Sequence, residues 1–218
     1  MTEEPPQKRR RGCLFYGCLS GTVCLLAILI AFLLGLYQLK RMLNFYTDTN
    51  PVSLPSVQLS AAEMDVLKRR IENFQDAVRT GRPTEPLSLS ADEINALIAS
   101  DPNLSRAKGR VYVTIEGNRL KGQVSLPLAD LGLPIFRNRY LNGTGVFAVG
   151  LHRGDLLVTA DSFVVKNRPL PAVYMDRIRS ENLAANLSSN PRASVALNHL
   201  QDVRISDGKL IVVPKVEK

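Results

Sequence analysis

Residues 12–39 read GCLFYGCLSGTVCLLAILIAFLLGLYQL, which is 28 consecutive positions without a charged side chain. A helix of that length would rise about 42 Å at 1.5 Å per residue, more than the roughly 30 Å of a bilayer's hydrocarbon core. A cleavable signal peptide has a shorter apolar core of about 7 to 15 residues, with small residues at its cleavage site. Here the apolar run is longer, and bulky residues followed by Lys40 and Arg41 come after it. The stretch therefore predicts a retained transmembrane helix, with the lipid bilayer as its partner.

Basic residues flank this predicted helix unequally. Four precede it at positions 8–11, whereas two follow it at positions 40 and 41. Lys and Arg close to a membrane span are retained on the cytoplasmic side. We therefore expect residues 1–11 to form a cytoplasmic basic tail. The main domain is expected to be extracytoplasmic, in a single-pass protein of the inner or plasma membrane.

Small residues within the span offer one feature for helix packing. Gly17 and Gly21 form a G-x-x-x-G pair, whose spacing permits close contact between membrane helices. Glycine is also common in membrane helices in general, so ordinary composition explains the pair as well as self-association does. The three cysteines, Cys13, Cys18 and Cys24, all belong to the same stretch. We interpret them as small apolar residues.

The part outside the membrane, residues 42–218, is long enough for one domain with a core of its own. It carries 22 basic and 18 acidic side chains, and the basic residues are scattered rather than grouped in a stripe. This pattern argues against nucleic acid as a partner. The same part contains no cysteine, which excludes disulfides and thiol ligands there. The domain must therefore be stabilised by packing alone.

Residues 40–56 are predicted to form a linker, because prolines and small polar residues cluster there without an apolar period. An amphipathic helix is predicted over 57–82, with Ser60 and Glu63 as a capping box at its start. Its apolar residues recur at spacings of three and four, namely Met64, Leu67, Ile71, Phe74 and Val78. This stripe could pack on its own domain or pair with a second copy as a short coiled coil. Barely two heptads are available, which favours packing in cis.

An α+β domain is predicted over 87–214. It begins with a short strand at 87–89. A second capping box, at Ser90 and Glu93, then opens a helix that Asp101 ends because Pro102 follows it.

The rest of this domain alternates between hairpins and helices. Three stretches of alternating residues, each interrupted by turn residues, predict antiparallel hairpins at 111–126, 141–166 and 203–213. Further helices are predicted over 169–187 and after Pro191. We expect one antiparallel sheet built from three hairpins with flanking helices.

The second hairpin differs from the first because it is apolar on both faces, so both faces must be covered. Burial of the strand pair in a layered core explains this pattern. An apolar groove that holds a ligand explains it too. The candidate groove residues are Leu126, Phe136, Phe147, Val149, Leu156, Val158 and Phe163.

The sequence contains no recognisable pattern of catalytic or metal-binding residues. His152 and His199 lack metal-ligand spacing to another donor, and no phosphate-binding loop, nucleophile elbow or dinucleotide fingerprint is present. His152 belongs to a His-Arg-Gly-Asp stretch typical of a solvated turn. Asp161 is interpreted as an outward-facing residue or the partner of a basic side chain. We therefore predict no enzyme activity, no catalytic or metal-binding residue and no cofactor.

Four short segments between residues 87 and 188 carry a family resemblance. They read LSADEINALI at 89–98, VSLP at 124–127, YLNG at 140–143 and LP at 170–171. Together they resemble the YpmS-like family of bacterial single-span membrane proteins of unassigned function. The resemblance implies a surface-facing or periplasmic domain on an N-terminal anchor. More remotely, it implies a lipid-binding fold in which a curved sheet surrounds an apolar groove. The extra charged helix before the domain and the C-terminal hairpin depart from the family pattern.

Two hypotheses for the function follow. The first is a membrane-anchored, non-enzymatic extracytoplasmic module that binds lipid or another apolar ligand. The second is a structural or scaffold protein of the cell envelope, which acts through helix-mediated self-association as a homodimer or by binding an envelope protein. An open apolar groove beside Phe147 and Phe163 would favour the first. A packed sheet with an exposed stripe on the first amphipathic helix would favour the second.

Overall fold

The computed structural model describes residues 12–105, 107–185 and 191–215, and the side chains within them apart from those at 12–22, 103, 191 and 192. The chain divides into two compact units, Met1–Tyr46 and Thr47–Lys218.

The first unit contains helix α1, Gly12–Tyr46. Its segment Val23–Tyr46 is long and apolar enough to cross a membrane, and its large apolar side chains are exposed. The helix continues past its predicted end because residues 40–43 are Lys, Arg, Met and Leu, all good helix formers. Gly17 and Gly21 belong to this helix, but their surroundings lie outside the described side chains.

The second unit is an α+β domain. Among the described residues, its helices are α2 Ala61–Arg79, α3 Ala91–Ser100, α4 Ala172–Ser180 and α5 Pro191–Asn198. Its strands are β1 Leu87–Ser90, β2 Val111–Glu116, β3 Arg119–Pro127, β4 Tyr140–His152, β5 Asp155–Val165, β6 Arg168–Pro169, β7 Leu200–Ser206 and β8 Lys209–Pro214. Short 3₁₀ turns lie at Pro102–Leu104, Leu128–Leu131 and Pro134–Phe136.

The three predicted hairpins are confirmed as β2–β3, β4–β5 and β7–β8. The expectation that they share one sheet is wrong. The first two hairpins and β6 form a five-stranded antiparallel sheet in the order β2-β3-β4-β5-β6. The third hairpin pairs instead with the predicted short strand β1, in a three-stranded sheet of order β1-β8-β7. On both sides of the five-stranded sheet, side chains already bind backbone groups that a further strand would need.

Asparagine side chains bind the edge strand β2 and the part of β5 that the two-residue strand β6 does not cover. At the β2 edge, Asn95 of α3 donates to the Val113 carbonyl (2.7 Å) and accepts from the Val113 N–H (2.8 Å). At the β5 edge, Asn182 accepts from the Val158 N–H (3.0 Å) and donates to the Leu156 carbonyl (2.9 Å). An open sheet edge is a template for further strand pairing. These amides bind backbone groups that a further strand would pair with.

Both predicted capping boxes are confirmed. The Glu63 carboxylate accepts from the Ser60 N–H (2.9 Å), and the Ser60 hydroxyl accepts from the Glu63 N–H in return (3.3 Å). Hydrogen bonds from Ser60 hold the pKa of Glu63 below its ordinary value. Ser90 and Glu93 repeat the arrangement at the start of α3. Helix α4 is shorter than the helix predicted over 169–187, because the chain after it turns back along the β5 edge.

The apolar stripe of α2 packs within its own domain, as predicted. Leu67, Phe74 and Val78 are buried in one cluster with Leu87 and Leu89 of β1. Half-buried residues from α2, α3, the three-stranded sheet and the segment before α2 pack around this cluster, namely Leu59, Met64, Ile71, Ile94, Leu97, Leu200, Leu210 and Val212. Since the stripe is used in cis, it does not offer a free surface for a coiled coil.

Residues 47–52, which we call the strap, lie against the five-stranded sheet. Asp48 and Tyr140 form a β-bridge, in which each N–H donates to the other residue's carbonyl at 2.8 Å. The segment predicted as a linker over 40–56 thus begins inside α1, and its next residues are bound to the domain. The reason is that its small polar residues meet matching polar groups on the sheet.

A buried polar network holds the strap in place. Asn142, which is 7% exposed, donates to the Asp48 carboxylate and the Asn50 carbonyl, both at 2.9 Å. Its amide oxygen accepts from the Ser125 hydroxyl (2.8 Å). Lys166 forms a salt bridge with Asp48 at 2.9 Å. Burial raises the pKa of Asp48, but hydrogen bonds from Lys166 and Asn142 outweigh it and leave that pKa below its ordinary value.

Candidate apolar ligand site

One face of the five-stranded sheet gathers most of the candidate groove residues. Directly opposed residues of an antiparallel pair share a face. The register therefore brings six of the seven candidates to one side, namely Leu126, Phe147, Val149, Leu156, Val158 and Phe163. The seventh, Phe136, lies in the 3₁₀ turn Pro134–Phe136.

The two phenylalanine rings on that face lie over glycines. A Cβ added to Gly145 would be 2.5 Å from the Phe147 ring and 2.9 Å from the Phe163 ring. A Cβ on Gly143 would be 2.6 Å from the Phe163 ring. All three distances are far below ordinary contact, so the absence of a side chain at these glycines makes room for the rings. This part of the apolar face is therefore filled by the protein's own side chains.

A cleft of about 600 Å³ lies elsewhere in the domain, between residues 54–59, the start of α2, the helix α3 and the strand β2. None of the seven candidate groove residues lines it. Its apolar walls are formed by Leu54, Pro55, Val57, Leu59, Ala61, Met64, Ala96, Ile98, Ala99, Gly109 and Val111. Its polar lining residues are Ser56, Gln58, Asn95, Ser100, Lys108 and Tyr112.

Two of the polar side chains in the cleft are hydrogen-bonded to the protein itself. The Asn95 amide is bonded to Val113 on both sides, and the Ser100 hydroxyl donates to the Ala96 carbonyl (2.8 Å). Lys108 is exposed and places one positive charge at the edge of the cleft. The cleft thus offers an apolar surface with a positive charge beside it. This arrangement suits binding of an apolar ligand more than catalysis.

Glycine at position 109 shapes the wall beside β2. Its φ of +69° lies in the left-handed region, which favours glycine and reverses the chain before β2 begins. A Cβ there would meet no other atom within 4 Å. The turn therefore leaves open space next to the cleft instead of closing it.

Sequence reasoning missed this cleft because residues 54–59 were interpreted as the end of a linker and the start of a helix. One signal was available. Leu54, Val57 and Leu59 are three large apolar side chains within six residues, more than a solvated linker needs. They have no helical or strand period, so no partner could be predicted for them. Only the fold shows that they face α3.

Titratable residues singled out in the sequence take structural roles. Asp161 pairs with Arg119 at 3.6 Å, and its carbonyl accepts from the Arg179 guanidinium (3.0 Å). The salt-bridge interpretation of Asp161 is thus confirmed. His152 ends β4 at a tight turn, whose two central residues, Arg153 and Gly154, both have positive φ. Within the part of the chain that the structure describes, no group of three or more His, Cys, Asp or Glu could hold a metal ion.

Comparison with known proteins adds no relative. No family model matches the chain, and neither a curated protein nor a solved structure matches it. The resemblance to the YpmS-like family therefore stays a prediction, and the function has to be argued from the geometry above.

Proposed function

We propose that this chain is a membrane-anchored, non-enzymatic module that binds a lipid or another apolar molecule in the cleft beside α3. The observation that carries the proposal is the cleft itself. Its volume of about 600 Å³ lies within the roughly 300–1,000 Å³ typical of small-molecule sites. Its walls are mainly apolar. Binding of an apolar molecule there would remove the surface of the walls and the surface of the ligand from water, which is favourable.

The class of ligand follows from the lining. Aliphatic side chains such as Leu54, Met64 and Ile98 suit an acyl chain, because they offer contact without demanding hydrogen bonds. Lys108 suits an anionic head group at the edge. A lipid has both parts, and a chain whose α1 spans a membrane has lipids as its most abundant apolar neighbours. An anionic phospholipid is therefore the first ligand to test.

Native mass spectrometry of the full-length protein in detergent tests this proposal. The protein is incubated with phosphatidylglycerol, and retained lipid is read as added mass. We expect one bound lipid on the wild-type protein. Ala99→Phe should abolish retention, because Ala99 lines the cleft and the added ring would occupy it. Ala172→Phe is the matched control, because Ala172 is exposed at the start of α4 and the same change there should leave lipid binding intact.

Two outcomes would contradict the proposal. One is a wild-type protein that retains no lipid under conditions in which it stays folded. The other is equal lipid retention by Ala99→Phe and the wild-type protein, because the cleft would then not be the binding site.

Anchoring and orientation are separate parts of the proposal. The helix length supports a single span, and the charge difference between positions 8–11 and 40–41 supports a cytoplasmic N-terminus. Alkaline carbonate should therefore leave the protein in the membrane pellet. A C-terminal tag should be digested by protease added to intact spheroplasts. A tag that is digested only after the membrane is broken would reverse the proposed orientation.

A further inference from the structure

The end of β3 and its connection to β4 expose a group of large apolar side chains. Leu126 is 37% exposed, Leu131 61%, Leu133 55% and Ile135 43%. Single exposed apolar residues are ordinary, but a contiguous group marks a surface that contacts a partner or a membrane. We call residues 126–136 the apolar loop.

Several backbone groups of the apolar loop are hydrogen-bonded within the loop or to its base. The Gly132 N–H donates to the Ala129 carbonyl and the Phe136 N–H to the Leu133 carbonyl, both at 3.0 Å. The Leu128 N–H donates to a carbonyl at the start of β4 (2.8 Å). Backbone groups that are already paired lose little when water is removed. The loop can therefore enter a poorly hydrated layer.

The loop lies where the chain enters the domain. Tyr140, just after the loop, pairs with Asp48, and Arg139 donates to the Thr47 hydroxyl (3.0 Å). Thr47 is joined by one peptide bond to Tyr46, the last residue of α1. Each residue spans at most about 3.6 Å. If α1 spans a membrane, the base of the loop is therefore tied within a few residues of the membrane surface.

Charges around the loop favour the same partner. Asp130, the only acidic residue of the loop, pairs with Arg110 at 3.1 Å. Arg137 is exposed directly after the loop. Basic side chains beside an apolar segment are attracted to anionic lipid head groups. The apolar and basic residues together therefore match a lipid surface.

We propose that the apolar loop inserts Leu131, Leu133 and Ile135 into the interface of the membrane that α1 spans, on the side of the domain. Arg137 then lies among the head groups. The inference rests on the anchoring part of the proposed function and is independent of the cleft. The bilayer is its occupant, because the base of the loop is bonded to Thr47 and Asp48, the residues that directly follow the anchor in the chain.

Fluorescence of the full-length protein in vesicles of phosphatidylcholine and phosphatidylglycerol tests the insertion. The native cysteines are replaced by alanine, and one new cysteine carries an environment-sensitive dye. Leu133→Cys places the dye in the loop, and Ile135→Cys repeats the measurement. Val173→Cys is the matched control, because Val173 is 80% exposed on α4. Two quenchers are compared, namely a nitroxide on the lipid chain and iodide in the water.

We expect the dye at position 133 to be quenched by the lipid nitroxide and to be shielded from iodide several-fold relative to position 173. Equal iodide access at 133, 135 and 173, in protein that floats with the vesicles, would overturn the inference. Shielding from iodide without lipid quenching would overturn it as well, because a second copy of the chain would then cover the loop. Protein that does not float with the vesicles would refute the anchoring itself, whereas lipid binding in the cleft has its own readout.

Discussion

Replacing Asn95 tests how the five-stranded sheet is closed at its β2 edge. Asn95 is 5% exposed and Val113 is 7% exposed, so water does not readily replace a lost partner. Asn95→Ala leaves both the N–H and the carbonyl of Val113 without the amide that now binds them. Each unsatisfied buried group costs about 1–3 kcal/mol. We therefore expect Asn95→Ala to lower the free energy of unfolding by about 2–6 kcal/mol.

Asn95→Asp tests the same contact in a way that depends on pH. The charged carboxylate still accepts from the Val113 N–H but faces the Val113 carbonyl without a proton to donate. The protonated acid can make both hydrogen bonds, so folding raises the pKa of the new carboxyl. The folded state then binds more protons than the unfolded state, and stability is regained as the pH falls. The loss of unfolding free energy should be largest at neutral pH. It should become smaller as the pH falls towards about 4, the ordinary pKa of an aspartate.

Urea unfolding of the full-length protein in detergent, read by pulse proteolysis, measures both effects. Asn73→Ala is the matched control, because Asn73 is exposed on α2 and alanine is a good helix former. It should change the free energy of unfolding by less than about 0.5 kcal/mol. An Asn95→Ala variant as stable as this control would refute the reasoning, because the edge would then not depend on the amide. The same holds for an Asn95→Asp variant whose loss does not depend on pH.

Three further changes probe the sheet face, the core and the strap. Gly145→Ala should cost about 1–3 kcal/mol in urea unfolding, because its methyl group meets two phenylalanine rings. Gly150→Ala, where a Cβ meets nothing within 4 Å, should be nearly neutral, and equal losses would contradict the packing argument. Leu67→Ala, at a site 2% exposed, should lower the melting temperature through a loss of about 2–5 kcal/mol, whereas Val66→Ala at a 55% exposed site should not. Asp48 has a lowered pKa, so its stabilisation is present above the ordinary carboxyl pKa and is lost as the pH falls through the lowered value. Asp48→Asn should therefore reduce the loss of unfolding free energy as the pH falls into the acidic range. An unchanged dependence on pH would contradict a stabilising role of Asp48 in the strap.

Local signals in the sequence predicted the individual elements well. Ser60 and Ser90 cap α2 and α3 as predicted, because a cap satisfies N–H groups only three residues away, although α2 spans Ala61–Arg79 and is shorter at both ends than the predicted 57–82. Asp207 and Gly208 both have positive φ in the turn of the last hairpin, as an Asp-Gly pair predicts. The α2 stripe was also predicted to pack in cis, since barely two heptads are available for a coiled coil.

The candidate site could not be predicted in the same way. Six of the seven groove candidates do share a face, because strand alternation is a local rule. Whether that face is open depends on Phe147 and Phe163, whose rings cover glycines on neighbouring strands. The cleft depends on residues 54–59, which have no period of their own. Neither the covered sheet face nor the cleft can therefore be predicted from the pattern of a single segment.

The sequence by itself determined a long apolar helix, the three hairpins and the amphipathic helix, because hydropathy, caps and turns act over a few residues. The tertiary structure alone decided that two sheets form, that the strap is bound and that the cleft lies beside α3. Those outcomes depend on groups far apart in the chain, such as Asn95 with Val113, 18 positions away, and Val52 with Asn142, 90 positions away. Such pairs are selected by the geometry of the whole fold, because each buried polar group must find a partner wherever packing places it.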